Sequence, residues 1–183
     1  KDDDFLEADV VVYSSAVNPE LPQLELARKS GKEVYSEFAL ANKLCRRPII
    51  AVCGSFGRTT VSHIIGHALK LDGKNVFVGG TSDAPFIQFS LLPNKDEIDY
   101  VVVEVSAVQM RSLDNFHPKM IVFTNLSDTY PIASFRSMGD FLETKLKIVK
   151  SLSPDDVLIV NFDSLANNTF FRNAKCQTYW YSR

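Results

Sequence analysis

Pro48-Ile49-Ile50-Ala51-Val52-Cys53-Gly54-Ser55-Phe56-Gly57-Arg58-Thr59-Thr60 is the stretch from which the rest of the chain can be read. Its first six residues are apolar throughout, as in a strand buried on both faces. Gly-Ser-Phe-Gly-Arg-Thr-Thr follows, and from Thr59 to about Leu71 the pattern turns helical. Strand, glycine turn and helix in that order read as a phosphate-binding loop. Glycines let the backbone turn tightly and aim its N–H groups at phosphate oxygens, the helix N-terminus adds positive dipole, and a hydroxyl is placed to hold Mg²⁺. A glycine turn also serves packing alone in many folds; the flanking strand and helix are what favour phosphate here. Arg58 stands where such loops normally carry lysine.

Outward from the loop, short apolar runs alternate with helix patterns, as expected for parallel strands joined by crossover helices. The expected fold class is α/β, a mostly parallel, doubly wound sheet of P-loop type. Strands are expected at Val10 to Tyr13, Val76 to Val78, Ile98 to Val105, Lys119 to Thr124, Val157 to Val160 and Gln177 to Tyr181. Helices are expected from Leu21 to Ser30, closed by Gly31, from a Ser36 cap to Leu44, and from Ser137 to Lys150. Gly73 should end the helix after the loop, and any helix between Val105 and Lys119 must be short. Arg46-Arg47-Pro48 reads as a linker.

With 183 residues, 45% of them hydrophobic, the chain can build one substantial core, or one domain plus part of another. The net charge of −2 gives no sequence-wide basic field for nucleic acid or an anionic membrane, so phosphate recognition must be local. Cys45, Cys53 and Cys176 are widely spaced and form no Cys-x-x-Cys pair, which supports neither a disulfide framework nor a zinc site. The Lys-Asp-Asp-Asp start is not a signal peptide, and no apolar run approaches the roughly 18 to 20 residues that span a bilayer. A soluble, cytoplasmic protein without membrane insertion is expected, and a monomer.

Two placements carry chemistry. The run Ile98 to Val103 delivers Glu104 and Ser106 at its carboxyl end, and Lys119 to Thr124 delivers Asn125 to the same edge, where open α/β sheets bind ligands. Glu104 suits a metal, or else is a strand-end acid paired with a lysine. On the Ser137 helix the apolar stripe is Met138, Phe141, Leu142, Ile148 and Val149, and its missing i+7 position is Lys145. An inward lysine is either a neutral, reactive amine or the partner of a carboxylate; the alternative is an extended side chain covering apolar surface. His63 and His67 have i, i+4 spacing but no third ligand, and read as packing or surface residues. His117 reads as a turn residue.

Gly-x-x-Gly-Arg-Thr-Thr, the strand end Glu104-Val-Ser-Ala-Val-Gln-Met, Thr124-Asn-Leu-Ser, the inward Lys145 and Val160-Asn-Phe-Asp together resemble the Mur ligase family of peptidoglycan synthesis. The resemblance implies three domains, of which residues 1–46 match the end of a Rossmann-like UDP-substrate domain and 47–183 an incomplete central ATP-binding domain. The amino-acid-binding domain is implied to lie outside this sequence. Glu-Val-Ser-Ala-Val-Gln and Ser36-Glu-Phe-Ala-Leu resemble the D-glutamate-adding branch, whereas Ser14-Ser15-Ala16 resembles the L-alanine-adding one.

By position, the resemblance implies that Gly54, Ser55, Phe56, Gly57, Arg58, Thr59, Thr60 and Asn125 hold ATP. Thr59 and Glu104 would hold one Mg²⁺ and a carbamylated Lys145 a second, with Arg58, Lys145 and Glu104 as the catalytic set. Ser14, Ser15, Thr81, Ser106 and Gln109 fall at positions facing the UDP-sugar peptide precursor. The implied reaction is amide synthesis through an acyl phosphate, which the incoming amino acid then opens. Three departures stand out: Arg58 for lysine, Thr81 for asparagine, and Tyr130 for the histidine of an Asp-His pair. They leave open a Mur-like protein that binds nucleotide or serves a structural role without ligase chemistry. An unrelated P-loop kinase would predict the ordinary lysine and a second acid.

Overall fold

A computed structural model describes residues 4–113, 115–126, 135–164 and 171–183. The first elements are α1 (Asp4–Glu7), β1 (Val10–Tyr13), α2 (Pro22–Lys29), β2 (Glu33–Ser36) and α3 (Glu37–Leu44). Then come β3 (Ile49–Cys53), α4 (Arg58–Leu71), β4 (Val76–Gly79), α5 (Gln88–Leu91), β5 (Tyr100–Glu104) and α6 (Ala107–Met110). The last are β6 (Met120–Phe123), α7 (Met138–Lys150), β7 (Val157–Asn161) and β8 (Gln177–Tyr181). The expected strands and helices are all present within a residue or two. The expectation lacked the single-turn helices α1 and α5, and β2, whose four residues carry one aliphatic side chain and run straight into α3.

Two parallel sheets result. β1 and β2 pair with α2 as their crossover, and the larger sheet has the order β4-β5-β3-β6-β7-β8. Every pairing in it is parallel. The chain leaves β3 for the far side of β5, returns to β5, then crosses to β6, so the order reverses at β3. Ligands of open α/β sheets bind at the carboxyl ends of strands beside such a reversal. The phosphate-loop sequence begins there.

Both faces of the sheet are covered, which is why its central strands read as continuous apolar runs. All five residues of β3 are buried, as are Val101, Val102 and Val103 of β5. Ile50, Val52, Val102 and Val122 pack against Val61, Ile65 and Leu69 of α4. On the other face Ala51, Val103, Ile121 and Leu158 meet Ile148 of α7 and a group of phenylalanines. At ~1.5–3 kcal/mol for each large side chain fully buried, this core dominates the favourable side of folding.

α3 joins the two units. Ser36 Oγ accepts from the Ala39 N–H at 3.1 Å, the expected cap. Phe38 then enters the large unit's core, edge-on to Phe86 at 5.0 Å and to Phe116 at 5.6 Å. Glu37 Oε1 accepts from the Ile87 N–H at 2.7 Å. A helix that follows directly from β2 therefore sends its buried side chains, Phe38 and Ala41, into the larger unit's core. Among the described residues no helix is long and apolar enough to cross a membrane.

Candidate functional site

Residues 54–57 leave the carboxyl end of β3 and enter α4 through Gly57, whose φ of 77° is left-handed. Gly57 has no side chain to cap the helix, so the first-turn N–H groups of Arg58, Thr59 and Thr60 are left to a ligand. Gly54 has φ 138°, and a Cβ there would stand 2.0 Å from Thr124 Oγ1. No other residue fits. The loop is tied to the end of β6: Thr124 Oγ1 donates to the Phe56 carbonyl at 2.7 Å, and Asn125 Nδ2 donates to the same oxygen at 3.0 Å. Asn125 Oδ1 in turn accepts from the N–H groups of Ser55 at 3.2 Å and Phe56 at 3.0 Å. Asn125 thus holds the loop's shape, while the Phe56 ring at its tip is 66% exposed.

Three charged side chains converge beneath the loop. Glu104 ends β5 in register with Val52 and is only 6% exposed. Gly80, leaving β4, lies so close that a Cβ would meet the Glu104 carbonyl at 2.4 Å. Arg58 turns back on its own loop, donating from Nη1 to the carbonyls of Gly54 at 2.5 Å and Ser55 at 3.1 Å. Its Nε lies 3.8 Å from Glu104 Oε2. Arg58 Nε and Glu104 Oε1 are both buried without a hydrogen-bond partner among the described residues.

Lys145 is 2% exposed, donates to Ser55 Oγ at 3.2 Å and stands 4.4 Å over the Phe141 ring. Burial pulls its amine down to about 8, with the nearby Arg58 adding to the effect. The Cys53 thiol offers no compensating charge at pH 7, because burial pushes it up to about 12. The inward lysine inferred from the gap in the stripe is thus where the helix period put it.

Residues 52–183 match the Mur ligase middle domain. The chain belongs to the Mur ligase family. It is 32% identical over 159 residues to a UDP-N-acetylmuramoylalanine--D-glutamate ligase of Citrifermentans bemidjiense, covering 87% of this chain and 34% of that protein. The same-named ligase of Alkaliphilus metalliredigens is 31% identical over 177 residues, covering 97% of this chain and 38% of its own. The chain therefore spans about a third of the length of these relatives. In structure it is similar to the UDP-N-acetylmuramate:L-alanyl-gamma-D-glutamyl-meso-diaminopimelate ligase from Neisseria meningitides, with TM-score 0.66 and 14% identity over 95% of this chain and 58% of that one. MurF from Acinetobacter baumannii gives 0.60 and 18% over 86% and 35%.

Against the Mur ligase pattern, the remaining positions divide. Thr81 Oγ1 accepts from the Ala84 N–H at 3.1 Å and shapes the turn after β4. Ser106 and Gln109 form a capping box on α6, and Gln109 Nε2 also donates to the Gly80 carbonyl at 3.2 Å. These polar groups brace the sheet edge around Glu104. Ser14 Oγ accepts from the Ala16 N–H at 3.3 Å, while Ser15 Oγ is buried without a partner among the described residues. Ser15 lines a cleft of about 110 Å³ between the first unit and Val108, Arg111 and Ser112. Tyr130 and the Asp128-Thr129 before it lie outside the described residues.

A wider cleft of about 1060 Å³ lies against the amino ends of β3 and β6, opposite the loop. Of the six lysines and arginines that line it, three pair with carboxylates: Lys43 with Glu33, Arg47 with Asp96 and Lys119 with Asp156. No expected site residue lines it. His63 and His67 are exposed on α4, and among the described residues no three His, Cys, Asp or Glu could hold a metal together. His117 is more than a turn residue: its Nε2 meets Asp156 Oδ2 at 2.7 Å. That pairing spans 39 residues and left no local signal in the sequence.

Proposed function

We propose that the protein is an ATP-dependent acid–amino-acid ligase of peptidoglycan precursor synthesis, adding D-glutamate to UDP-N-acetylmuramoyl-L-alanine. The observation that carries this reading is the convergence, at one sheet edge, of an uncapped helix N-terminus, a buried carboxylate with an unpartnered oxygen and a buried amine. The names of the relatives, at about 32% identity, support the choice of amino acid. Residues 1–46 are read as the end of the UDP-substrate domain and 47–183 as part of the ATP-binding domain, in a cytoplasmic monomer.

The donor set fits Mg²⁺ bound together with phosphate. Magnesium takes one or two carboxylates and completes its octahedron with water and phosphate oxygens, so a lone Glu104 with a free, buried oxygen suffices alongside the Thr59 hydroxyl. When bound, the metal would neutralise charge building on the phosphates. Lys145, kept partly neutral by burial, is suited to take up CO₂ as a carbamate and so supply a second anionic ligand. The N–H groups of Arg58, Thr59 and Thr60 would orient the γ-phosphate, and Asn125 would keep the loop from collapsing onto it. The substrate carboxylate would take the γ-phosphoryl group from ATP, releasing ADP. The amine of the amino acid would then form the amide bond and release phosphate.

Phosphate release from the full natural chain, given Mg-ATP, UDP-N-acetylmuramoyl-L-alanine and D-glutamate with each omitted in turn, tests this. Release that requires all three is the expected result; release that proceeds with another amino acid in place of D-glutamate would overturn the specificity. One observation favours a second reading, a relative that binds nucleotide without ligation: Arg58 lies folded on the loop carbonyls rather than extended as a free cation. No release from folded protein with any amino acid would favour it.

A further inference from the structure

We propose that Arg58 and Glu104 form a half-closed ion pair, a latch that only a metal-bearing phosphate opens, so that the loop takes the metal complex and rejects free nucleotide and free metal. The inference deepens the reading of this edge as a nucleotide site and rests on it. A guanidinium and a carboxylate free to meet close to about 2.8 Å, usually through two hydrogen bonds. Here the nearest approach is 3.8 Å, beyond hydrogen-bond range. What holds the pair apart is the loop itself, since Arg58 Nη1 is committed to the carbonyls of Gly54 and Ser55.

The result is one unfilled donor and one unfilled acceptor in the same buried place. Arg58 Nε and Glu104 Oε1 are two of the three buried side-chain polar atoms without a partner among the described residues. Their needs are complementary. The Nε–H wants an anionic oxygen, and Oε1 wants a cation. A phosphate oxygen carrying a divalent metal supplies both at once. Free nucleotide would find the Arg58 guanidinium already drawn towards Glu104. Free metal at Glu104 would face the guanidinium. A lysine at position 58 carries all its donors on one nitrogen, so it cannot rest one nitrogen on the loop carbonyls and hold a second, separate one beside Glu104 as the Nη1 and Nε of arginine do; the latch depends on arginine.

The test is a double-mutant cycle on the full natural chain, reading binding rather than turnover. The affinity of a fluorescent ADP analogue is measured in EDTA for wild type, Arg58→Ala, Glu104→Gln and the double variant. A latch predicts that Glu104→Gln tightens metal-free binding by about tenfold in the wild-type background and by less than about twofold with Arg58 already removed. Equal gains in both backgrounds would mean simple repulsion between carboxylate and phosphate, and would overturn the latch, as would no gain at all. A second readout needs no nucleotide: Mn²⁺ binding followed by electron paramagnetic resonance should tighten in Arg58→Ala, and unchanged affinity would overturn the proposal. If folded wild-type protein fails to bind the analogue even with Mg²⁺, the reading of the site itself falls; additive effects with intact Mg-dependent binding remove the latch alone.

Discussion

Two buried carboxylates sit at opposite ends of the same sheet and are treated in opposite ways. Asp156, before β7 at the amino edge, is fully buried and saturated. Its Oδ2 accepts from the Ser153 N–H at 2.7 Å, the Ser153 hydroxyl at 2.6 Å and His117 Nε2 at 2.7 Å, and its Oδ1 accepts from Lys119 at 3.0 Å. Burial alone would raise its carboxyl, but Ser153, Lys119 and His117 outweigh that and hold it well below the usual carboxylate range. Glu104, at the carboxyl edge, is nearly as buried yet has one oxygen without a partner and the other 3.8 Å from Arg58. A buried charge satisfied on all sides is part of the scaffold. One left half-satisfied is waiting for something, and the contrast assigns chemistry to one edge and stability to the other.

The sharpest way to break the contrast is to neutralise each carboxylate. Glu104→Gln should lower ligase turnover by on the order of 10²- to 10³-fold, the usual effect of removing one electrostatic stabiliser, while leaving unfolding in denaturant unchanged or slightly harder. A Glu104→Gln protein that unfolds markedly more easily would make Glu104 a second Asp156. Asp156→Ala should do the reverse, costing about 2–3 kcal/mol of stability with turnover per folded molecule preserved. The figure lies below that for a fully buried pair because Lys119 and His117 are partly exposed and regain water when the carboxylate is gone.

The Asp156 effect also has a pH signature. Its carboxyl is depressed in the folded state, so the stability it contributes is present above the ordinary value of about 3.9 and is lost as pH falls below it. The stability gap between wild type and Asp156→Ala should therefore be constant near neutrality and narrow below about pH 4. A gap that widens with acid would reverse the sign and remove the account. The groups facing the carboxylate are Ser153, His117 and Lys119, and all three must be kept in the comparison.

How far the two edges could be read in advance follows from how local their signals are. The phosphate loop was legible because strand, glycines and helix are contiguous, and Lys145 because a single polar residue interrupts a helical stripe. Glu104 was legible as the last residue of an apolar strand. The Asp156 cluster was not, since Lys119, His117 and Asp156 are brought together only by the pairing of β6 with β7. Arg58 was legible as a departure but not as a conformation: its fold back onto Gly54 and Ser55 leaves it 3.8 Å from Glu104, 46 residues away, a proximity with no local signal. β2 escaped notice because it is held by pairing with β1 and not by its own pattern.

Lys145 belongs to the unsatisfied edge, and its amine tests whether that edge is strained. Lowered from 10.5 to about 8 by burial, a charged Lys145 costs roughly 3 kcal/mol at neutral pH, offset in part by Ser55 and the Phe141 ring. Between those two values the unfolded chain binds more protons, so wild-type stability should rise from pH 8 towards pH 10.5. Lys145→Met, in bicarbonate-free buffer, should gain about 1–2 kcal/mol at pH 7 and lose that rise, as read by denaturant midpoints. A loss of stability would show that the ammonium is better satisfied than Glu104.

The smallest effect should come from thinning the saturated cluster without emptying it. Ser153→Ala removes one hydroxyl donor from Asp156 Oδ2 and leaves the Ser153 N–H, His117 and Lys119 in place. The carboxylate then loses one of four bonds rather than its partner set, so the cost should be about 1 kcal/mol, the net worth of a single hydrogen bond. Thermal unfolding should shift by a few degrees, with turnover unaffected. A loss as large as that of Asp156→Ala would mean that the hydroxyl, not the ion pairs, organises the cluster. The amino edge would then be a single polar turn at Ser153–Asp156 to which Lys119 and His117 merely attach, and the saturation that sets it apart from Glu104 would rest on one bond.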